Sequence, residues 1–409
     1  MSSDPGHDAY QSLRYPEYRW FLGGIFAFTV ATQIQTLAMA WQVYHITHDP
    51  LSLGLIGLAE AIPFLTLTLV GGWAADRRDR RTLSLLSMAV MLTGGLLLLA
   101  MNTGRVPQAA WPFYAIQALA GLGRAFFRPA SQALATELVP REAYQNAATW
   151  RSSSFQLAQV TGPAFGGLLY SFGSAALAYQ VEVLLMGLAL VMILQVLPHP
   201  RTPSKTPILQ NLGEGVTFVF THNLVLGALS LDLFAVLFGG AVAMLPVFAA
   251  EILRVGPQGL GVLRAAPAVG SVAMGFWQAH HPPRNHAGTI LLICVGCFGL
   301  CWIGFALSSV FWVSLILLAA SGAMDSVSMV LRGTLVQTRT PPEMMGRVQA
   351  VNGFFIGSSN ELGSFESGLA ARLLGVVPSV VFGGLMTLGV VGAIAWRVPE
   401  LRRLKRIAG

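Results

Sequence analysis

Ten ionisable side chains sit inside stretches of sequence that are otherwise apolar: Glu60, Arg124, Arg128, Arg151, Asp232, Arg264, Asp325, Arg332, Glu361 and Glu366. In a bilayer such groups cost several kcal/mol unless they are paired or wetted, so they mark ion pairs, solute sites or proton carriers. Counting about 1.5 Å per residue from the start of each apolar run places Glu60, Arg124, Asp232, Asp325 and Glu361 near the middle of the membrane. Arg264 and Glu366 come nearer its outer face. Arg128, Arg151 and Arg332 come nearer the inner one.

The elements that carry these residues are membrane spans. The chain has 409 residues, 54% hydrophobic and only 11% charged, against about 25% charged in soluble domains. A span needs about 20 largely apolar residues, and twelve stretches qualify: 19–46, 51–75, 82–101, 111–137, 146–170, 176–198, 223–252, 258–279, 287–307, 311–337, 346–371 and 378–397. The expected fold is an all-α membrane protein, two pseudo-symmetric bundles of six helices. They are residues 1–198 and 223–409, joined by a cytoplasmic linker at 199–222 whose Leu209, Leu212, Val216 and Val219 have the spacing of an amphipathic surface helix. Residues 1–19 are polar, and the apolar run after them is too long for a signal peptide.

Basic residues then orient the chain, because cytoplasmic loops are enriched in Arg and Lys. With the N-terminus inside, one side holds seventeen: Arg14, Arg19, the four arginines of 77–81, Arg141, Arg201, Lys205, Arg284, Arg339, Arg347 and the five basic residues from Arg397 to Arg406. The other side holds Arg105, Arg254 and Arg372. Both termini are expected in the cytoplasm, the net charge of +7 reporting topology rather than nucleic-acid binding.

The two halves echo each other. Pro140-Arg141-Glu142 recurs as Pro341-Pro342-Glu343, and Gly162–Gly167 as Gly363–Gly368, both at an offset of 201 (341 − 140 and 363 − 162). Arg124 and Asp325 share that offset. Two parallel six-helix repeats, with a solute site between them near mid-membrane, are the plan of a rocking transporter. The loop after the second span, Gly71–Arg81, packs six charges into eleven residues. Gly72 is expected to let span 2 approach span 11. Asp76 would sit at the N-terminus of span 11 near Gly346, where a helix dipole favours a carboxylate. Arg80 would pair with Glu137. Gly275 would be the faint echo of Gly72.

In these features the chain resembles the major facilitator superfamily. Gly72, Asp76, Arg77, Arg80 and Arg81 match its signature loop, Gly-x-x-x-Asp-Arg-x-Gly-Arg-Arg, with Asp79 in place of the second glycine. That substitution, together with Trp41-Gln42-Val43-Tyr44 and Val139-Pro140-Arg141-Glu142, is similar to the enterobactin-exporter-like branch. Gly162, Pro163, Gly166 and Gly167 are similar to the antiporter motif of its exporters. An arginine that exporters often carry early in span 4 is here Gln117. The resemblance implies that spans 1, 4, 7 and 10 line a central cavity. Arg124 would then bind a solute anion or gate, pairing with Asp325 as the cavity closes. Asp232 and Asp325 would carry protons. Gln33, Gln35, Met39, Trp41 and Gln42 would line the cavity, and Glu60, Glu361 and Arg264 would be interface charges.

No metal site, cofactor or catalytic constellation is expected. Cys294, Cys297 and Cys301 lie in one span without histidine or carboxylate, and His280, His281 and His286 read as a solvated loop. No Gly-x-x-x-x-Gly-Lys stretch for nucleotide binding is present. The expected function is proton-coupled export of a small amphipathic solute, a siderophore or drug-like compound, by a monomer in a bacterial inner membrane. An importer, a lysophospholipid flippase and a non-transporting sensor are the alternatives.

Overall fold

The computed structural model describes residues 8–102, 109–198, 208–239, 241–281 and 286–404. Arg105, the polar linker with Arg201 and Lys205, Arg284, Lys405 and Arg406 lie outside the described residues.

Helix after helix follows from the apolar runs. The first half has α1 (Pro16–Thr47), α2 (Pro50–Arg77), α3 (Arg80–Ala100), α4 (Trp111–Glu137) and α5 (Tyr144–Leu194). α5 is two spans joined at a sharp kink, where Ser174 adopts φ 79°. The second half has α6 (Ile208–Thr221), α7 (Asn223–Gly239), the short α8 (Leu245–Val247), α9 (Gly256–His280), α10 (Ala287–Leu307), α11 (Phe311–Arg339), α12 (Met345–Leu374), α13 (Val376–Arg397) and α14 (Pro399–Arg403). The seventh span, expected over 223–252, is one apolar stretch: α7 to Gly239, then, past residue 240, which is not among the described residues, a 3-10 turn, α8 and the π-helical turn Phe248–Ile252. Gly239 and Pro246 weaken the regular ladder there.

Among the described residues nine helical stretches are long and apolar enough to cross a membrane, one of them covering both spans of α5. α4 and α12, the least apolar of the long helices, complete the twelve. Exposed Leu184, Leu188, Val191 and Leu194 form an outward stripe at helical spacing on the second half of α5, as a lipid-facing helix requires. α6 forms where the amphipathic pattern lies. Its Val219 is fully buried against Val348 and Val351 of α12, and Glu214 pairs with Arg347.

Capping explains the turns. Asp49 accepts from the Leu51 N–H at 3.0 Å ahead of Pro50, and Asp79 accepts from the Thr82 N–H at 2.7 Å. Both are N-caps that satisfy an orphan helix donor. The departure from the usual glycine at position 79 therefore starts α3. Because the helices alternate in direction, the turns after α2, α9 and α11 share one end of the bundle with the chain termini. The turns at Asp49, Ser174, Val255 and Gly375 share the other, here called the distal end.

Candidate translocation path and its gates

Two seams join the bundles. In one, α2 meets α12: a Cβ on Gly54 would lie 3.1 Å from Gly368 Cα. In the other, α5 meets α9: a Cβ on Gly167 would lie 3.1 Å from Gly261 Cα. Only glycine lets backbones approach this closely. Inside each bundle the same pattern recurs, Gly121 of α4 lying on the Glu60 carbonyl and Gly322 of α11 on the Pro267 carbonyl. The internal repeat is thus written in contacts. Its register is 201 for the later spans (322 − 121 and 368 − 167) and 207 for the second and eighth (261 − 54 and 267 − 60). That register matches Gly72 to Ala279, not to Gly275.

The distal end is sealed. Leu37, Trp41, Tyr44 and Leu53 of the first bundle share one buried apolar cluster with Met244, Leu245, Phe248, Leu260 and Leu263 of the second. The Tyr44 hydroxyl donates to the Glu251 carboxylate across the two bundles. Arg372 Nη1 meets Asp49 Oδ2 at 3.0 Å at the rim.

At mid-depth a charged bridge crosses the same boundary. Arg124 of α4 pairs with Glu60 of α2 and, at 3.3 Å, with Glu361 of α12. Gln117 donates to the other oxygen of Glu60. The residue that replaces the exporters' arginine therefore serves Glu60 as a neutral donor, and the positive charge comes from two turns further along α4. The Arg124 side chain is 49% exposed while Glu60 is 7% exposed. A guanidinium in mid-membrane is stable only when paired or wetted, and this one is both paired and open. Arg128, one turn on, is exposed and reaches toward Gly357 of α12.

Several expected placements change. Arg124 meets Glu60 and Glu361 rather than Asp325. Asp232 forms a buried ion pair with Arg332 inside the second bundle. Asp325, one element away, is exposed, and it lines a small cavity with Asp232, Cys294 and Ser328. Gln35 is buried toward Gly94 of α3, Gln42 bonds Asn102 and Tyr179, and Met39 is core of the first bundle, so none of the three lines the path. Trp41 belongs to the distal seal, and Gln33 lies against Gly162. Gly166 packs on Ile34 of α1, and the Pro163 carbonyl faces Gly261. Arg264 is half-buried in α9.

The signature turn splits likewise. Arg80 reaches Glu137 at 2.7 Å, as expected, and also the Ala133 carbonyl at 3.0 Å. Arg81 donates to the Leu194 carbonyl at 2.9 Å, and Arg77 lies 4.8 Å over the Trp73 ring. A Cβ at Gly72 or at Gly346 would meet nothing. It is Gly71 that makes a close approach, against the Ala125 carbonyl of α4, so α4 rather than α12 receives it. One buried group escaped sequence reasoning: Glu182, fully buried between α5 and Gly95 of α3, with both oxygens unpartnered. Its signal was the usual one, a lone acid in an apolar run.

Relatives agree with this architecture. The chain is 27% identical over 417 residues to the enterobactin exporter EntS of Shigella flexneri, covering 96% of this chain and 94% of that one. It is 29% identical over 414 residues to EntS of Salmonella typhimurium, with the same coverage. The fold is similar to that of a POT family transporter solved with 5-aminolevulinic acid (TM-score 0.74, 12% identity, 94% and 96% of the two chains). It is also similar to that of a bacterial homologue of the lysosomal transporter Spinster in an inward-facing, unoccupied conformation (0.70, 15%, 95% and 96%). The family model of the Major Facilitator Superfamily matches residues 21–364, and with the paired glycine seams and doubled six-helix plan this places the chain in that superfamily, as a transporter rather than an enzyme.

Proposed function

We propose that this transporter exports a small amphipathic organic solute, a siderophore or drug-like compound, across a bacterial inner membrane by alternating access coupled to protons. The observation that carries the reading is the Glu60–Arg124–Glu361 bridge with its open guanidinium, which lies under an apolar distal seal and spans both bundles. A path closed at one end with ionisable groups below it suits a carrier that rocks about its middle. Placing both termini in the cytoplasm, as the basic loops favour, makes the sealed end the outer one and the conformation inward-facing. Residues 1–198 and 223–409 are then the rocking units, 199–222 their tether, and a monomer suffices. In an outward-facing state the inner ends would meet, bringing Gly72 and Asp76 to the start of α12.

The similarity to enterobactin exporters supports export and a siderophore-like solute. Asp325, exposed beside the cavity, suits a proton carrier better than Asp232, which Arg332 already holds. Proteoliposomes loaded with siderophores or dyes and given an imposed pH gradient test the proposal. It expects solute movement against the proton flow, collapsed by a protonophore. Solute movement indifferent to the gradient would refute coupling, and no movement of any solute would refute transport.

A further inference from the structure

Among the described residues, Arg264 is a cation without a partner. It lies eight residues into α9, about 12 Å from the distal end of that helix, and among the described residues it makes no ion pair and no hydrogen bond. The mid-depth acids are engaged, Glu60 and Glu361 with Arg124 and Asp232 with Arg332, and Glu366, the acid nearer the same face, stands on α12 and makes no ion pair with Arg264 among the described residues. Keeping an uncompensated charge there is costly.

The repeat shows how unusual the position is. With the register of 207, Arg264 matches Gly57 of α2 (264 − 57). Gly57 lies in the other seam, where its Cβ would come 2.7 Å from Ser364 Cβ and 3.2 Å from the Glu361 carbonyl. The matching residues of α5 are Pro163 and Val160 (364 − 201 and 361 − 201). One seam thus has a glycine beside an acid-bearing turn, and the other has an arginine beside an apolar one. Arg264 shares the α5-facing stripe of α9 with Gly261, on the Pro163 carbonyl, and with Ser271, whose hydroxyl is 3.2 Å from Gln156 Nε2. Backbones in contact at Gly261 leave little room in the seam for a guanidinium, and Arg264 is half-buried. From α1, Gln33 borders the same stretch of α5 at Gly162.

We infer that Arg264 is the docking point for the negative charge of the transported solute, just beneath the distal seal, and that the solute is a carboxylate-bearing organic anion. Resting on the transporter reading above, this assigns the chemistry that supplies the missing countercharge. A guanidinium presents a fork of N–H donors that a carboxylate accepts in pairs, and the Gln33 and Gln156 amides stand on the neighbouring helices. Arg124 is less suited to the task, because two carboxylates already occupy it.

The test uses the full chain in lipid nanodiscs, with benzoate, naphthoate and carboxyfluorescein as probes and benzamide and naphthamide as neutral controls. Ligand binding to the folded state raises the unfolding midpoint. At millimolar concentration at least one carboxylate raises the midpoint of the wild type while its neutral counterpart does not. R264Q weakens that carboxylate's apparent affinity roughly ten-fold or more, and R264K by less, since it keeps the charge but loses the fork. Without ligand, R264Q unfolds at or above the wild-type temperature, because it removes an unpaired, half-buried charge from the membrane-spanning region. Absence of stabilisation by any carboxylate, equal stabilisation of R264Q, or a lower midpoint for ligand-free R264Q would each overturn the assignment. Flux in proteoliposomes separates the two readings. Arg264-dependent binding without flux would sink the transporter reading and leave the site, whereas flux unchanged by R264Q would do the reverse.

Discussion

Arg124 and Asp232 illustrate how a charge in a membrane is read by its partners. Both were visible as ionisable groups in apolar runs, yet their roles depend on contacts that no spacing rule supplies. Arg124 bridges two bundles through Glu60 and Glu361 with its side chain 49% exposed, so in the proposed cycle it is free to exchange partners. Asp232 and Arg332 are buried within one bundle, their side chains 10% and 7% exposed, and act as a fixed tie. Removing one member of such a pair strands the other and costs about 3–5 kcal/mol. Asp232→Asn is therefore expected to lower the unfolding midpoint of the purified protein sharply. Asp325→Asn, at a residue with no ion-pair partner among the described residues, should leave the midpoint near wild type and flatten the dependence of solute flux on pH. Midpoints that ranked the other way, or an Asp325→Asn flux with its pH profile intact, would move proton coupling elsewhere.

Helices are where the sequence was most legible. Long apolar runs fixed the spans, and glycine pairs at an offset of 201 announced the repeat, because close backbone contact tolerates no other residue. Less legible were the breaks. The kink at Ser174 joined two spans into one run of helix, and the second part of the seventh span took 3-10 and π-helical turns, since local backbone geometry there answers to tertiary packing. The register of the second and eighth spans was hidden for the same reason. It differs by six from that of the later spans, and only the contacts at Gly54, Gly261, Glu60 and Pro267 display it. Asp79 shows element-scale logic at a single position. As the N-cap of α3 it satisfies the Thr82 N–H, so Asp79→Ala should cost about 1 kcal/mol, and Asp79→Gly only a few tenths. The two unfolding midpoints check this. Equal losses would mean that the carboxylate acts through its charge in the turn rather than as a cap.

At the scale of the whole molecule, the two glycine seams, the distal apolar seal and the Tyr44–Glu251 bond hold one end of the path shut while Arg124 bridges the middle. Alternating access requires that this end open in every transport cycle. Gly57 and Ser364 face each other across the α2–α12 seam, with Cβ positions 2.7 Å apart. A disulfide needs about 3.8 Å between Cβ atoms, so a small parting of the helices lets one form. In a background with Cys294, Cys297 and Cys301 replaced by alanine, the pair Gly57→Cys and Ser364→Cys should cross-link on oxidation. Proteoliposome flux should then fall to the empty-vesicle level and return on reduction. Full flux from protein shown by mass spectrometry to be cross-linked would contradict the requirement that the distal seal opens, and with it alternating access in this chain.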